Sequence, residues 1–195
     1  MTGISITVEI DNAELRAKLE NMIARMEKPI GFYKNVGEQL LNSTRDNFES
    51  ESSPEGVPWA QLKPATIRAR ERRKQTPIKI LQATRNTGLM ASINKRTMEV
   101  ADDQVRIGSP KEYAAIHQLG GTIKKAARTA TIYQSYDKKT DTFDPTFRKK
   151  SRSNFASDVT IPAHEITIPA RPFLGVSKED EVIIIEIADA WLNDT

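Results

Sequence analysis

Histidine and carboxylate side chains are the groups in this 195-residue chain that could carry acid–base chemistry or bind a metal. The histidines are His117 and His164, and Glu165 follows the second directly. A zinc-protease helix requires a second histidine four residues after the first, and none stands there. Cysteine is absent, which excludes thiolate metal sites and cysteine nucleophiles. With no Gly-x-Ser-x-Gly motif, phosphate loop or plausible carboxylate pair, we predict neither enzymatic activity nor a cofactor.

His117 belongs to a short segment, Tyr113 to Gly121, that has the pattern of a helix followed by two glycines. Helical spacing places Tyr113, Ile116 and His117 on one face. Gly120 can adopt the left-handed conformation that ends a helix, and Gly121 lets the chain turn sharply. We therefore expect Tyr113 and His117 to be partly buried structural residues rather than ligands.

Arg171 lies in a second stiff segment, Ile168 to Gly175, between a small residue and a proline. Prolines at 162, 169 and 172 cannot donate hydrogen bonds in a central strand, which predicts edge strand and extended chain. An arginine held on such a backbone often makes a fixed hydrogen-bonded pair. We predict such a pair for Arg171, either within the chain or across subunits.

The segment between these two motifs is basic. Residues 122 to 155 hold nine Lys or Arg and three Asp, a charge of +6, whereas the rest of the chain sums to −3. This distribution indicates either contact with a polyanion or acidic protein face, or a solvated loop. The candidate contact residues are Lys124, Lys125, Arg128, Arg148, Lys149, Lys150 and Arg152.

Periodicity predicts the elements that position these segments. Residues 4–10 alternate apolar and polar like a half-buried strand, and Asp11 with Glu14 resembles a capping box for a first helix. Pro29 separates that helix from a second one ending near Phe48. We further expect an exposed basic third helix over residues 65–75 and a short helix over residues 87–93. Trp59 should anchor the proline-rich loop before the third helix to the core.

The second half of the chain predicts hairpins and a final helix. Residues 94–101 and 104–108 form a hairpin around Asp102 and Asp103. Residues 129–136 and 157–161 are the two arms of a second hairpin, with a flexible tip, that projects from the body. Ser177 and Asp180 cap a last helix whose apolar stripe, from Ile184 to Leu192, should pack against the sheet.

Length and composition predict an α+β fold in a single domain. The chain is 38% hydrophobic and 28% charged, and no apolar run approaches the ~20 residues of a membrane span. We expect neither a secretory signal nor a membrane association. The predicted architecture is a small, mostly antiparallel sheet packed by N-terminal and C-terminal helices, with a long projecting loop or hairpin.

Five groups of residues follow one another along the chain: Phe48 with Pro54-x-Gly56-x-x-Trp59-x-x-Leu62, Leu81 with Thr87-Gly88-Leu89, Val105-x-Ile107-Gly108, Tyr113-Ala114-x-Ile116-His117-Gln118-x-Gly120-Gly121, and Ile168-Pro169-Ala170-Arg171-Pro172-Phe173-Leu174-Gly175. In this order and spacing, they resemble the phage virion morphogenesis family, which includes tail-completion proteins of long-tailed phages and Mu-like prophages. The resemblance spans about residues 40–192. Its departure is the segment after Gly121, which is longer here than the usual family link.

The resemblance implies a structural assembly protein: one virion-morphogenesis domain, residues 1–195, with a basic extension at about 122–158. It implies a ring-like homo-oligomer at the neck that contacts other neck, tail or connector proteins and, non-specifically, packaged DNA. The protein would be made in the host cytoplasm and built into the virion. The residues implied as an assembly motif are Trp59, Tyr113, His117, Gly120, Gly121, Arg171, Pro172, Phe173 and Gly175.

Two other functions remain open from the sequence. A sequence-independent nucleic-acid-binding module would explain the two basic segments and would bind DNA with a steep salt dependence. A capsid assembly factor would act on heads rather than on the junction. The morphology of particles made without the protein would distinguish a capsid assembly factor from a neck component.

Overall fold

The computed structural model of the chain describes residues 13–84 and 86–193. The chain divides into two compact units. The helical unit comprises the described residues up to 119 together with 170–193, and the ribbon unit comprises residues 120–169. The strand predicted at residues 4–10 and the capping residue Asp11 lie outside the described residues.

Two helices open the helical unit: α1 spans Ala13–Glu27 and α2 spans Ile30–Ser50, with Pro29 between them as predicted. The first residue after α2, Glu51, has a left-handed backbone with φ 56°. The buried side of α2 follows a helical period, because one face of the helix meets the core. Its members are Val36, Gly37, Leu41, Thr44, Asn47 and Phe48.

The core of the helical unit collects side chains from distant parts of the sequence. Phe48 is at its centre, fully excluded from solvent, with Trp59 and Phe173 in ring contact with it. Burying aromatic side chains of this size contributes several kcal/mol each, of order 3–5 for a truncation to alanine. The buried cluster is Leu41, Phe48, Trp59, Ile80, Leu89, Ile93 and Phe173.

Two short helices follow, α3 at Pro64–Arg72 and α4 at Leu89–Ser92. The predicted third helix reached residue 75, but α3 ends earlier because Lys74 has a left-handed backbone with φ 56°. No residue of α3 is buried, in agreement with its predicted exposure. Helix α4 is shorter than the predicted helix at 87–93 and starts after Gly88.

The first predicted hairpin is present, with β1 at Glu99–Val100 antiparallel to β2 at Val105–Arg106. It packs on α2 at Gly37. A Cβ at Gly37 would come within 2.5 Å of Met98 Sδ and 2.8 Å of Val105 Cγ2. The glycine therefore provides the close approach between helix and hairpin.

Helix α5 spans Ala114–Leu119, and α6 spans Lys178–Asn193. The predicted capping box of α6 is confirmed: Asp180 N–H donates to Ser177 Oγ at 3.0 Å, and Ser177 N–H donates to Asp180 Oδ2 at 2.9 Å. The apolar stripe of α6 was predicted to pack against the sheet. In the described residues it lies against α2 and α1 instead, with Trp191 6.2 Å from the ring of Phe32.

The ribbon unit is built from antiparallel strand pairs. Strand β3, Gly121–Lys125, pairs with β8, His164–Ile168, and β4, Arg128–Gln134, pairs with β7, Phe155–Ile161. Residues 126–127 separate the two ladders on one side of the ribbon, and residues 162–163 separate them on the other. Because both gaps have the same length, the pairing register of the first ladder continues unchanged in the second. The paired length from residue 121 to 134 is about 45 Å at ~3.4 Å per residue.

The end of the ribbon differs from the predicted flexible tip. A third antiparallel pair, β5 at Tyr136–Asp137 and β6 at Thr142–Phe143, forms a short hairpin there, and residues Lys150–Arg152 form a 3-10 helix. The predicted arms, 129–136 and 157–161, match β4 and β7 closely. The described residues thus combine helices with antiparallel strand pairs, which confirms the predicted α+β class.

Candidate structural site of the helical unit

The two motifs singled out in the sequence meet through Gln118. Its side-chain Oε1 accepts hydrogen bonds from the N–H groups of Phe173 at 2.9 Å and Leu174 at 3.1 Å. Its Nε2 donates to the carbonyl of Leu174 at 2.7 Å. One amide therefore mimics a strand neighbour for two residues of the Arg171 segment. Sequence reasoning placed Gln118 in the motif but assigned it no role, because its partners lie more than fifty residues away.

Arg171 makes hydrogen bonds within the chain, one of the two alternatives that the sequence left open. Its Nε donates to the carbonyl of Ala60 at 2.8 Å, and its Nη2 donates to the carbonyl of Gln61 at 3.2 Å. Its backbone N–H donates to the carbonyl of His117 at 2.7 Å. The residue is only 6% exposed. Arg171 consequently joins two elements at one point of the chain: its guanidinium holds the loop before α3, and its backbone N–H holds α5.

Trp59 anchors its loop as predicted. Its Nε1 donates to the carbonyl of Pro172 at 2.8 Å, and its ring meets Phe48 edge-on at 5.6 Å. Phe173, which follows Pro172, packs against Phe48 with the two rings tilted and their centroids 5.4 Å apart. The Asn47 amide donates to the carbonyl of Phe173 at 3.3 Å. Polar and apolar contacts therefore hold the same short segment, which makes it a rigid part of the unit.

Gly175 has a steric role at the end of this segment. A Cβ at that position would lie 2.7 Å from Pro54 Cγ, a distance that real Cβ contacts do not show. Gly120 and Gly121 have positive φ values of 73° and 156°, so Gly120 takes the predicted left-handed conformation. Backbone conformation explains Gly120 and Gly121, and the close approach of Pro54 explains Gly175.

His117 is half-buried, as predicted, and Tyr113 lies edge-on to it with ring centroids 6.0 Å apart. Tyr113 itself remains 44% exposed, more than expected. His117 Nδ1 is buried and has no hydrogen-bond partner among the described residues. Burial, and secondarily the positive charge of Arg171, lowers the pKa of the imidazole. The ring is therefore neutral near pH 7 and serves as packing.

Within the described ranges, no group of three or more His, Cys, Asp or Glu side chains could hold a metal ion. The same residues contain no helix long and apolar enough to cross a membrane. His164, the other histidine, is exposed in β8, and its Nδ1 lies 3.1 Å from the carbonyl of Pro162.

The predicted basic residues fall into two groups on the ribbon. Lys124, Lys125 and Arg128 lie in the ladders, where Lys124 pairs with Glu165 at 3.7 Å. The second group surrounds the hairpin at the ribbon's end, in residues 148–152. The basic helix α3 has fewer cations available for a partner than its sequence indicates. Its Arg70 is half-buried and donates to the carbonyl of Lys79 at 2.6 Å.

Comparison with known proteins agrees with this arrangement of motifs. The chain matches the Phage virion morphogenesis family over residues 10–193. The chain belongs to this family. It is therefore a phage virion assembly protein.

Two relatives come from Mu-like phages. The chain is 35% identical over 141 residues to a protein of Escherichia phage Mu provisionally named capsid assembly protein G, covering 70% of the chain and 86% of that protein. It is 28% identical over 182 residues to the Mu-like prophage FluMu G protein 2 of Haemophilus influenzae, covering 93% and 91%. No solved structure matches the chain.

Proposed function

We propose that this family member is a structural, non-catalytic component that completes the tail or the head–tail junction. Copies of the chain would assemble into a ring at the neck, between other neck, tail or connector proteins. The protein would be made in the host cytoplasm and retained in the virion. Family membership supports the assembly role, and the ribbon unit supports the ring.

The observation that carries the proposal is that no residue from 120 to 169 is buried. Two-stranded ribbons are marginally stable in water unless another element covers one face. Within the described residues each strand of the two ladders has one neighbour, so each has an edge without backbone partners. Such edges and faces are completed by strand addition or packing from another chain.

Electron microscopy of particles made without the protein tests the proposal. We expect full heads and complete tails that remain separate. Supplying the wild-type protein in trans should restore joined, infectious particles. Joined and infectious particles in its absence would contradict the proposed role.

A capsid assembly factor is the second candidate, favoured by the name of the phage Mu relative. This candidate predicts absent or misshapen heads in the same micrographs, with tails unaffected. Head morphology therefore separates the two roles in one experiment.

Contact with packaged DNA is a further part of the proposal, supported by the cations of the ribbon. Such contact would run through phosphates and be independent of sequence. A stand-alone nucleic-acid-binding module would instead bind duplex DNA tightly as a monomer, with affinity falling steeply with salt. Measuring DNA binding by the isolated chain at two salt concentrations distinguishes the module from a ring component.

A further inference from the structure

The end of the ribbon, residues 135–155, which we call the tip, presents aromatic side chains to solvent. Tyr136, Phe143 and Phe155 form a cluster in which neighbouring ring centroids are 4.8 to 6.3 Å apart. Phe143 remains 49% exposed, Phe155 37%, and the neighbouring Phe147 69%. Exposed aromatics grouped in this way are typical of interaction surfaces, where they become the buried anchors.

Hydrogen bonds hold the tip in one shape. The Asn154 side chain accepts from the N–H of Tyr136 at 2.7 Å and donates to its carbonyl at 2.8 Å. The Gln134 amide donates to the carbonyl of Asp144 at 3.1 Å, and Arg148 N–H donates to the carbonyl of Tyr133 at 2.8 Å. An ordered surface loses less conformational entropy on binding than a mobile loop.

The carboxylates of the tip are engaged locally, and most of its cations are not. Asp144 pairs with Arg148 at 2.5 Å, Asp141 accepts the Tyr136 hydroxyl at 2.6 Å, and Asp137 accepts the N–H of Lys139 at 2.8 Å. Among the described residues, five exposed tip cations have no carboxylate within 4 Å: Lys138, Lys139, Lys149, Lys150 and Arg152. The tip is thus an aromatic surface with a positive rim.

The helical unit carries a surface of complementary character. A groove of about 780 Å³ runs between α2, the loop at residues 54–56 and the start of α6. Pro54, Val176 and Ile183 supply apolar lining, and Val176 is 49% exposed. The groove is as large as typical ligand pockets, which hold about 300–1,000 Å³, so it can receive aromatic side chains.

Carboxylates surround this apolar lining. Asp46, Glu55, Glu179 and Glu181 are exposed at the groove, where the one cation is Lys178. Asp180 also lines the groove, but its carboxylate is already bonded to Ser177 and Ser43. The Glu55 carboxylate also accepts a hydrogen bond from Ser53, and all four exposed carboxylates can face a positive partner.

We propose that the tip of one copy docks into this groove of a second copy, with Phe147 and Phe143 on the apolar lining and the tip cations facing the groove carboxylates. The inference rests on the proposed ring and names its subunit contact. Charge complementarity within one chain selects a second copy as the occupant. Because tip and groove are different surfaces, the contact is heterologous, and it forms a ring when the rotation between copies closes.

A charge exchange tests this contact in the full-length chain. Sedimentation velocity over a concentration series measures self-association. The proteins compared are the wild type, the tip variant K149E/K150E, the groove variant D46K/E55K and the chain that carries all four substitutions. We expect each reversal alone to weaken self-association about tenfold or more, and the combination to recover most of the loss. R68E/R72E on exposed α3 positions is the matched control and should sediment as wild type does.

A charge-neutral variant separates docking from general electrostatics. Phe147→Ser should weaken association without changing the circular dichroism spectrum, because Phe147 is largely exposed in the single chain. The inference is overturned if wild type stays monomeric throughout the series, if the tip variants associate normally, or if the combined exchange restores nothing.

Electron microscopy with the same variants keeps this inference distinct from the proposed function. If particles lacking the protein show unjoined heads and tails while K149E/K150E associates normally, the docking contact is wrong and the junction role stands. If particles lacking the protein are complete, the junction role itself fails, whatever the sedimentation shows.

Discussion

At the scale of single residues, the Arg171 guanidinium bonds two backbone carbonyls of the loop before α3. Arg171→Ala removes the donors for the carbonyls of Ala60 and Gln61 and leaves a cavity in a region that excludes water. We expect a loss of about 2–4 kcal/mol in the free energy of unfolding, measured by urea titration. Arg171→Lys should retain part of the stability, because one ammonium can reach only one carbonyl well.

The same substitution connects the site to assembly. Arg171→Ala should lower the yield of infectious particles by impairing head–tail joining. Counting unjoined heads and tails in lysates complemented with the variant measures this effect. Normal yields from a variant shown to be destabilised would mean that the segment's rigidity is not needed for assembly.

The burial of His117 predicts how the free energy of unfolding depends on pH. Burial holds the pKa of the imidazole in the folded chain below its ordinary value of 6.5, so the unfolded chain binds more protons as pH falls past that value. Stability from the neutral ring is therefore complete above about pH 6.5 and is lost progressively below it. His117→Asn should flatten the unfolding free energy between about pH 5 and pH 7.

His164→Asn is the matched control for this measurement, since the His164 ring is exposed. The acid-side loss should persist in that variant. The titration of Asp180 does not contribute to the pH dependence compared in these two variants. Burial raises the pKa of its carboxyl, but hydrogen bonds from Ser177, Ser43 and Gln39 outweigh burial and lower it below 3.8. Its contribution is therefore lost only in more acidic solution.

At the scale of elements, Asp180 joins α6 to α2. The carboxylate is 2% exposed and accepts from Ser177 Oγ at 2.7 Å and Ser43 Oγ at 2.8 Å. Asp180→Ala removes the carboxylate half of the α6 capping box and leaves the half-buried hydroxyls of Ser177 and Ser43 without this acceptor, so we expect a loss of about 2–4 kcal/mol in thermal or urea unfolding. Glu179→Ala, an exposed position in the same turn, should cost well under about 1 kcal/mol.

Gly37 gives a second prediction at this scale. By helix propensity alone Gly37→Ala would stabilise α2 by about 1 kcal/mol. The added Cβ would overlap Met98 and Val105, so we expect net destabilisation of about 1–3 kcal/mol in urea unfolding. Lys34→Ala on the exposed side of α2 should be close to neutral. A stabilised Gly37→Ala variant would show that the hairpin moves away easily.

At the scale of the whole molecule, the two units should differ in local stability. The ribbon has no buried residue, whereas α2 contributes its full inner face to the core. We expect backbone amides of residues 121–168 to exchange with solvent at least about tenfold faster than those of α2 in the free chain. Hydrogen exchange mass spectrometry measures this, and uniform protection across both units would contradict it.

Limited proteolysis reports on the same difference. Trypsin should cut first between Lys138 and Lys150, where exposed lysines lie at the end of the ribbon. Self-association through the tip should slow that cleavage. First cuts in α3, which is equally basic and exposed, would argue against the ribbon as the less stable unit.

Local patterns in the sequence determined much of the secondary structure. Apolar residues at helical spacing predicted α2, the Ser177–Asp180 pair predicted the start of α6, and the prolines marked where β7 and β8 end. These signals act within a few residues, so a single sequence contains them fully. The lack of cysteine likewise excluded thiolate chemistry without any structure.

The tertiary structure alone decided which residues meet. Gln118 bonds the Arg171 segment, Arg171 bonds carbonyls more than one hundred residues earlier, and Asp180 accepts a hydrogen bond from Ser43 of α2. The tertiary structure also shows an ordered aromatic hairpin where the sequence predicted a flexible tip. Such contacts depend on how elements pack across long stretches of chain, and periodicity along the sequence does not record them.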